Sequence, residues 1–344
     1  METRKVNINF VLKEMTALRY FMPLVIEANK IGVKSNFFVG TYNKYNCPFR
    51  YKEIVTKLSE QHGITLQKIA ALNEAAGPIF YIESVGLEET AEDNKNKKYS
   101  ITYMSDFTLA YNKYVNRVDH IIMPSKYFAE YYNEPREYVN GPWRGKIGHT
   151  LTDKNLYLGS PKYDIILDKD KILKKYNLKK GKKALVIFPI LQFVGKDQIK
   201  KIYSFLQKLG FETLVKARGK DSVSSDLQGD RLFKDDSWYP HTTMELIEVA
   251  DIVINFGSTT VKECIMLNTP LVDFDVKGYK HLEFLFSENN YCQQLDIAKL
   301  DFNSFSGAIE DLLSKNLTKD FQQAREKYLF EPKQVCKSIL KFVL

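Results

Sequence analysis

Short apolar runs alternate with longer segments of helical periodicity along the chain. In the first half, residues 6–12 and 33–39 are β-rich, and residues 16–30 between them carry apolar side chains at helical spacing. Residues 51–61 and 66–72 also have the spacing of helices. Strands that alternate with helices imply crossover connections, so we expect a parallel sheet.

The same alternation continues along the chain and restarts in the second half. Further predicted strands are 79–85, 100–104, 120–123, 184–188, 212–216, 252–255 and 270–274. Further predicted helices are 107–115, 126–132, 196–209, 243–249 and 260–267, with a helical tail from 302 onward. The β-branched runs DIVIN and TPLVDF are typical of strands buried on both faces. Two successive αβα halves therefore predict an α/β protein with two Rossmann-like domains.

Domain boundaries follow from the same pattern. We expect an N-terminal domain over residues 1–156, a C-terminal domain over 157–325 and a last helix over 326–344. The segment NLYLGSPKYD, residues 155–164, is the expected connection between the domains, because the polar stretch before it has no clear period. Such an architecture has a cleft at the carboxyl ends of its strands, where ligands bind.

Composition and charge narrow the classes of partner and compartment. The chain of 344 residues carries a formal charge of +8, which favours an anionic partner. Its four cysteines are far apart without metal-site spacing, which indicates free thiols, and no signal-peptide or membrane-spanning run is present. We expect a cytoplasmic protein. Its basic amphipathic tail leaves two alternatives, contact with anionic lipid at the inner face of the membrane or packing across the domain junction.

The stretch INFGSTTVKEC, residues 254–264, is the first candidate site. A predicted buried strand is followed by a four-residue turn that leads into a predicted helix. The turn residues have small or hydroxyl side chains: Gly257, Ser258, Thr259 and Thr260. Backbone N–H groups at such a turn bind phosphate, and a carboxylate in the first helical turn, Glu263, is placed to accept the hydroxyls of a ribose. The alternative is an ordinary capping box formed by Thr260 and Glu263.

Two neighbouring segments end in groups that suit a donor's phosphates or base. Lys216 ends the strand 212–216, and Arg218 and Lys220 follow it. Clustered cations at the end of a strand suit a diphosphate. His241 and Thr242 stand at the start of another helix. The alternatives are a solvated loop for the cations and a structural role for the histidine.

The second half resembles a known family. The order GSPKYD, Lys-x-Arg after a strand, ADIVINFGSTTVKE and TPLVDFDVKGY is similar to the donor-binding domain of GT-B glycosyltransferases over about residues 155–290. The similarity is greatest to the group of CDP-glycerol glycerophosphotransferases, Kdo transferases and UDP-N-acetylglucosamine 2-epimerases. Arg218 stands where some of these relatives have a histidine. The resemblance implies a GT-B fold, two Rossmann-like αβα domains whose parallel sheets face each other across a cleft.

The resemblance also implies a mechanism. A nucleotide-activated donor is the co-substrate, the leaving phosphate is stabilised without metal or cofactor, and an N-domain base takes the acceptor's proton. Glu14, after the first strand, resembles the loop carboxylate of Kdo transferases, and Asp106 ends the strand 100–104. Either acid could instead belong to a helix start. Asp273 and Asp275 form an Asp-x-Asp that we do not expect to bind metal.

The sequence leaves several functions open. The first is a metal-independent glycosyltransferase of surface polysaccharide synthesis, with a CMP-, CDP-, UDP- or GDP-linked donor and a glycan or lipid-linked acceptor. The alternatives are a polyol-phosphate transferase of the CDP-glycerol type, a UDP-sugar 2-epimerase, and, from another class, a non-catalytic nucleotide-binding protein. Nucleic acid is not expected as a partner, because no RNA-binding or helix-turn-helix motif is present.

Overall fold

The computed structural model describes most of the chain. The described residues are 7–40, 51–102, 115–133, 151–219, 221–234, 238–276, 285, 289–329 and 334–344. Asp106, Lys220 and most of the predicted helix 107–115 lie outside them. Two compact units divide this part: the first holds residues up to 133 with 151–165 and 327–344, and the second holds residues 166–326.

Strands and helices alternate through both units. The strands are β1 (Asn7–Leu12), β2 (Lys34–Val39), β3 (Thr65–Lys68), β4 (Ile79–Ile82), β5 (Lys98–Ile101), β6 (His120–Met123), β7 (Asn155–Tyr157), β8 (Lys183–Ile187), β9 (Glu212–Lys216), β10 (Arg231–Phe233), β11 (Ile252–Asn255), β12 (Leu271–Asp275) and β13 (Cys292–Asp296). The helices are α1 (Leu18–Lys30), α2 (Tyr51–His62), α3 (Lys126–Asn133), α4 (Lys169–Lys175), α5 (Lys196–Lys208), α6 (Thr242–Val249), α7 (Val261–Leu267), α8 (Phe302–Ser314), α9 (Thr318–Tyr328) and α10 (Val335–Val343).

In the described residues, each unit is built on one parallel sheet. The first sheet has the order β3-β2-β1-β4-β5-β6-β7, and the second has the order β10-β9-β8-β11-β12-β13. Every strand pair within them is parallel. Both orders reverse direction at one point, between β1 and β4 and between β8 and β11, which is the topology of a doubly wound Rossmann-like domain.

Aromatic side chains pack the centre of the first unit. Phe10 of β1 is the register partner of Phe37 and Phe80 on the two flanking strands. Its ring centroid lies 5.5 Å and 5.3 Å from theirs, and 4.9 Å from that of Phe21 on α1. All four rings are fully buried. Aromatic rings bury large apolar areas, so this cluster ties α1 onto the middle of the sheet.

The two ends of each sheet are where the structure departs from the sequence pattern. The predicted helix 66–72 is wrong, because β3 occupies its start and a 3-10 turn, Ile69–Glu74, follows. The predicted connection 155–164 contains β7 and a 3-10 turn, Pro161–Tyr163, both in the first unit. β10 and β13 were not predicted. These four strands are the sheet edges, where only one neighbour is paired and apolar runs are not required.

An aspartate before a strand closes the amino edge of the sheet in three places. Asp119, Asp230 and Asp251 precede β6, β10 and β11. Each carboxylate accepts a backbone N–H near the start of the adjacent strand, at 2.7–2.8 Å. The donors are Lys98 and Lys183, the first residues of β5 and β8, and Thr213, the second residue of β9. These bonds satisfy backbone N–H groups at the end of the ladder.

The C-terminal helix α10 belongs to the first unit and packs on α1. Its apolar side chains Val335, Cys336, Ile339 and Leu340 are buried, and the Cys336 N–H donates to Asp164 at 2.8 Å. Among the described residues, none of the helices has the length and apolar character needed to span a bilayer.

Candidate functional site

The carboxyl edge of the second sheet carries a row of polar side chains. Asn255, Asp273 and Gln294 are register partners on β11, β12 and β13, so their side chains share one face. Lys216 ends β9 on the same edge, beside Ile187 of β8. Asn255, Asp273 and Lys216 are at most 5% exposed. Polar groups buried at this edge need partners, and those partners shape the loop that follows β11.

Asp273 and Asn255 hold the turn that follows β11. The Asp273 Oδ1 atom accepts the Gly257 N–H at 2.8 Å and the Asn255 side-chain amide at 2.8 Å. The Asn255 amide also donates to the Ser258 carbonyl at 3.2 Å. Gly257 has a φ of +68°, in the left-handed region that glycine adopts without steric cost. The turn therefore bends sharply while its first N–H is fixed to the neighbouring strand.

The backbone N–H groups that follow Gly257 do not bond to Asp273 or Asn255 in the described structure. The N–H groups of Val261 and Lys262 donate back to the carbonyls of Ser258 and Thr259, and the Thr260 N–H donates to the Ser258 hydroxyl at 3.3 Å. Within the described part of the chain, the N–H groups of Ser258 and Thr259 have no acceptor. Two adjacent donors of this kind can bind an anion.

The capping-box alternative is not formed by Thr260, whose side chain makes no capping hydrogen bond to α7 in the described structure. Its hydroxyl lies 3.0 Å from that of Ser258 instead. Glu263 stands in the first turn of α7, as predicted, and is 4% exposed. A buried carboxylate in the helical turn that follows residues 257–260 is a strong hydrogen-bond acceptor for hydroxyl groups.

The predicted cations Lys216 and Arg218 differ in burial and in hydrogen-bond partners. The Lys216 ammonium is buried and donates to the Ala217 carbonyl at 2.7 Å. Arg218 is exposed, and its guanidinium pairs with Asp221, Nη2 to Oδ1 at 2.7 Å and Nε to both oxygens at 3.0 Å. The carboxylate thus occupies the fork with which arginine would grip a diphosphate.

His241 and Thr242 are held at the buried start of α6, 6% and 4% exposed. Glu245, one turn later, anchors this helix. Its carboxylate accepts the Lys175 ammonium at 2.7 Å and 2.8 Å and the Tyr176 hydroxyl at 2.6 Å. A buried carboxylate with charged and neutral donors is satisfied, so α6 is fixed against α4 and the position of His241 with it.

Burial also changes the acidity of this edge. It raises the pKa of Asp273 to about 6, against the opposing effect of its hydrogen bonds from Gly257, Asn255 and Gln294. The described residues contain no cluster of three His, Cys, Asp or Glu side chains that could hold a metal ion. Asp273 accepts hydrogen bonds from the turn, and Asp275 is exposed at the end of β12.

The carboxyl edge of the first sheet carries acids. Glu14 follows β1, is half-buried and accepts the Thr16 hydroxyl at 3.4 Å. It stands at the N-cap position of a 3-10 turn, Met15–Ala17, but its side chain makes no capping hydrogen bond there. Lys13 beside it bridges Glu88 at 2.6 Å and Glu89 at 2.7 Å.

Glu83 was missed by the sequence analysis. It follows β4, the strand next to β1, and is 3% exposed with a φ of +50°. The Ser100 hydroxyl donates to its carbonyl at 2.7 Å. A non-glycine residue with positive φ is uncommon and frequently lies at a functional site. The polar residues after the apolar run IFYI were the available signal, but the predicted strand ran on through residue 85.

Solved structures match this architecture over nearly the whole chain. A glycotransferase of kitacinnamycin is 10% identical with a TM-score of 0.59, over 99% of this chain and 100% of that chain. The wall teichoic acid polymerase TagF is 12% identical with a TM-score of 0.63, over 99% and 89%. A proposed UDP-N-acetylglucosamine 2-epimerase from Listeria monocytogenes is 11% identical with a TM-score of 0.55, over 98% and 95%. The chain has the GT-B fold.

The sequence itself matches no family model and no curated protein. The GT-B fold, predicted from the order of motifs, is therefore confirmed by the sheets and by these structural matches. Within it, the turn 257–260 and Glu263 form one continuous segment, and Lys216 ends a strand of the same edge. Arg218 lies beyond that edge with Asp221, and Glu14 belongs to the other unit.

Proposed function

We propose that this protein is a metal-independent glycosyltransferase that uses a nucleotide-activated sugar donor. The observation that carries the proposal is the turn 257–260, where two backbone donors have no acceptor among the described residues and a buried carboxylate, Glu263, stands in the first turn of the next helix. Phosphate oxygens suit the N–H groups of Ser258 and Thr259, and ribose hydroxyls suit Glu263. The structural matches to glycosyltransferases support the same class.

In this proposal, the donor phosphate leaves as the sugar is transferred. Negative charge then grows on the leaving oxygens, and preorganised N–H donors stabilise it without rearrangement. Lys216 and Arg218 add positive charge nearby, and His241 and Thr242 contact the base or a phosphate. Glu14 takes the proton from the acceptor hydroxyl, with Asp106 as the second candidate for that role. No metal or other cofactor has a part in these steps.

The acceptor is a glycan or a lipid-linked saccharide of surface polysaccharide synthesis, reached from the cytoplasm with peripheral contact at the inner face of the membrane. Two alternatives use the same donor site. A polyol-phosphate transferase would use CDP-glycerol, which the matches to TagF favour, since two of those structures were soaked with CDPG. A UDP-sugar 2-epimerase would turn over its substrate with no acceptor present, as the match from Listeria monocytogenes suggests.

A thermal-shift screen against CMP, CDP, UDP, GDP and their sugar or glycerol conjugates tests the proposal. A ligand that binds the native state stabilises it by roughly 2.7 kcal/mol at a hundredfold excess over its Kd, which is a measurable rise in Tm. We expect one nucleotide family to raise the Tm. No shift with any of them would overturn the proposal. The conjugate that binds is then incubated without acceptor, and turnover to an isomer under those conditions would favour the epimerase.

A further inference from the structure

Asp273 is a buried carboxylate to which the proposed chemistry assigns no step. It is 2% exposed on β12, a strand whose other residues from Leu271 to Phe274 are fully buried and apolar. An acid in such a place costs free energy unless its hydrogen bonds repay the loss of hydration. Its presence therefore needs an explanation in what those bonds hold.

Those bonds tie two strands to the turn. One oxygen, Oδ1, accepts the Gly257 N–H and the Asn255 amide, each at 2.8 Å. Asn255 is fully buried, and its own Oδ1 makes no hydrogen bond in the described structure. It contributes through its amide N–H groups, which donate to Asp273 and to the Ser258 carbonyl. Without Asp273, the Gly257 N–H and one Asn255 donor would be buried without an acceptor.

We propose that Asp273 is a positioning residue that holds the turn 257–260 in its anion-binding shape and places a negative charge behind the N–H groups of Ser258 and Thr259. The inference deepens the proposed function and rests on it for the identity of the ligand. The hold on the turn is a property of the ligand-free protein. It can therefore be measured whether or not a nucleotide binds.

The charge has a consequence for pH. Burial brings the pKa of Asp273 to about 6, so the carboxylate is charged at neutral pH and protonated at acidic pH. The titratable groups around it are Asp275 on its own strand and the thiols of Cys264 on α7 and Cys292 on β13, whose pKa values burial raises. These thiols are neutral near pH 6. Asp273, which is bonded to the Gly257 N–H, is therefore the group whose charge changes beside the turn in this pH range.

Three variants separate the two properties. Asp273→Ala removes the hydrogen-bond acceptor. Asp273→Asn keeps one acceptor oxygen and removes the charge, and the Gln294 amide can rotate so that its oxygen accepts from the new asparagine amide. The matched control is Asp251→Asn, since the Asp251 carboxylate also accepts one backbone N–H, from Lys183 at 2.7 Å, but at the amino edge of the same sheet. The readouts are hydrogen exchange of residues 252–263 without ligand, and calorimetric Kd values for CDP and UDP.

We expect Asp273→Ala to speed exchange at Gly257 and, compared with the equally uncharged Asp273→Asn, to weaken binding roughly tenfold at both pH values, because a buried donor left without its acceptor costs about that much. Asp273→Asn should exchange like the wild type. At about pH 7.5 it should bind roughly three- to tenfold more tightly than the wild type, and at about pH 5 equally, since one pKa unit of coupling is a factor of ten. The ratio of the wild-type Kd to the Asp273→Asn Kd at each pH cancels the effect of the nucleotide's own titration. Asp251→Asn should match the wild type in both readouts.

Unchanged exchange in Asp273→Ala, together with an affinity equal to that of Asp273→Asn, would overturn the inference while leaving the proposed function in place. A wild type that binds neither nucleotide would count against the proposed function, and exchange at Gly257 would still decide whether Asp273 holds the turn. Should Asp273→Ala not fold, a ratio of Kd values that is the same at both pH values would overturn the inference by itself.

Discussion

The carboxyl edges of the two sheets are built alike but carry opposite chemistry. On the first sheet, the strands β1 and β4 end in carboxylates, Glu14 and Glu83, beside the ion pairs of Lys13. On the second sheet, a turn with backbone N–H donors follows β11. The acid of this edge, Asp273 on β12, is buried and accepts the Gly257 N–H of that turn. The same strand-to-helix architecture can therefore offer proton acceptors in one unit and anion-binding groups in the other, because a few residues after each strand decide the chemistry.

The largest expected effect is on turnover, at the acidic edge. Glu14→Gln should lower kcat by roughly 10²–10⁴, the usual contribution of a general base, while leaving the Kd for the donor nucleotide unchanged. Steady-state kinetics and calorimetry check the two values. Glu83→Gln is the comparison variant from the adjacent strand. Near-normal kcat in Glu14→Gln together with a large loss in Glu83→Gln would move the base to the residue that the sequence analysis missed.

Next in size is a loss of nucleotide affinity at the donor edge. Glu263→Ala should weaken binding roughly 10- to 100-fold, because hydrogen bonds to a charged group contribute about 1.5–3 kcal/mol. Calorimetry measures the Kd, and the Tm without ligand shows whether the fold is intact. Glu310→Ala, an exposed acid on α8, is the control and should bind normally. Equal affinity in the two variants would contradict the ribose assignment.

The buried acid of the donor edge should also make stability depend on pH. Below the unfolded pKa of Asp273, near 3.8, both states are protonated; between 3.8 and about 6 the unfolded chain loses its proton first, so stability falls as pH rises. Two pKa units correspond to roughly 3 kcal/mol. Urea unfolding of the wild type and Asp273→Asn across this range should show a difference that grows to that order above about pH 6. Parallel curves would refute the buried charge.

A smaller effect is expected from the exposed pair. Arg218→Ala should weaken nucleotide binding by roughly three- to tenfold, because the side chain is solvated and already paired with Asp221. Asp221→Asn releases the guanidinium, so it should strengthen binding by roughly twofold to threefold. Titrations at low and high salt check both values, since an exposed charge is screened. Unchanged affinity in both variants, or tighter binding by Arg218→Ala, would remove Arg218 from the donor site.

No effect is expected from metal removal. Turnover after dialysis against a chelator should equal that of the untreated protein, because donors of the turn and cations stabilise the leaving phosphate in the proposed mechanism. A complete loss that manganese restores would instead assign a metal role to Asp273 and Asp275.

The sequence by itself determined the parts of the fold that rest on local pattern. Apolar runs that are buried on both faces predicted the central strands, and helical periodicity predicted α1, α5 and α6 close to their observed bounds. The resemblance of the second half to a known family implied the GT-B fold, and the turn 257–260 with Glu263 lies after β11 as expected. The strands, the helices and this turn depend on residues that are adjacent along the chain, so local pattern was enough to predict them.

Tertiary structure alone decided the rest. The edge strands β3, β7, β10 and β13 have no continuous apolar run of the kind that marks the central strands, and they pair where a neighbour offers an open ladder. The pairing of Arg218 with Asp221, the burial of Glu83 and the bond from Gly257 to Asp273 each depend on how separate segments meet. The Asp-x-Asp pattern does not say what Asp273 contacts, whereas in the folded sheet its carboxylate accepts the Gly257 N–H and the Asn255 amide. Which neighbour a polar group finds is a property of the fold, and that neighbour sets its chemistry.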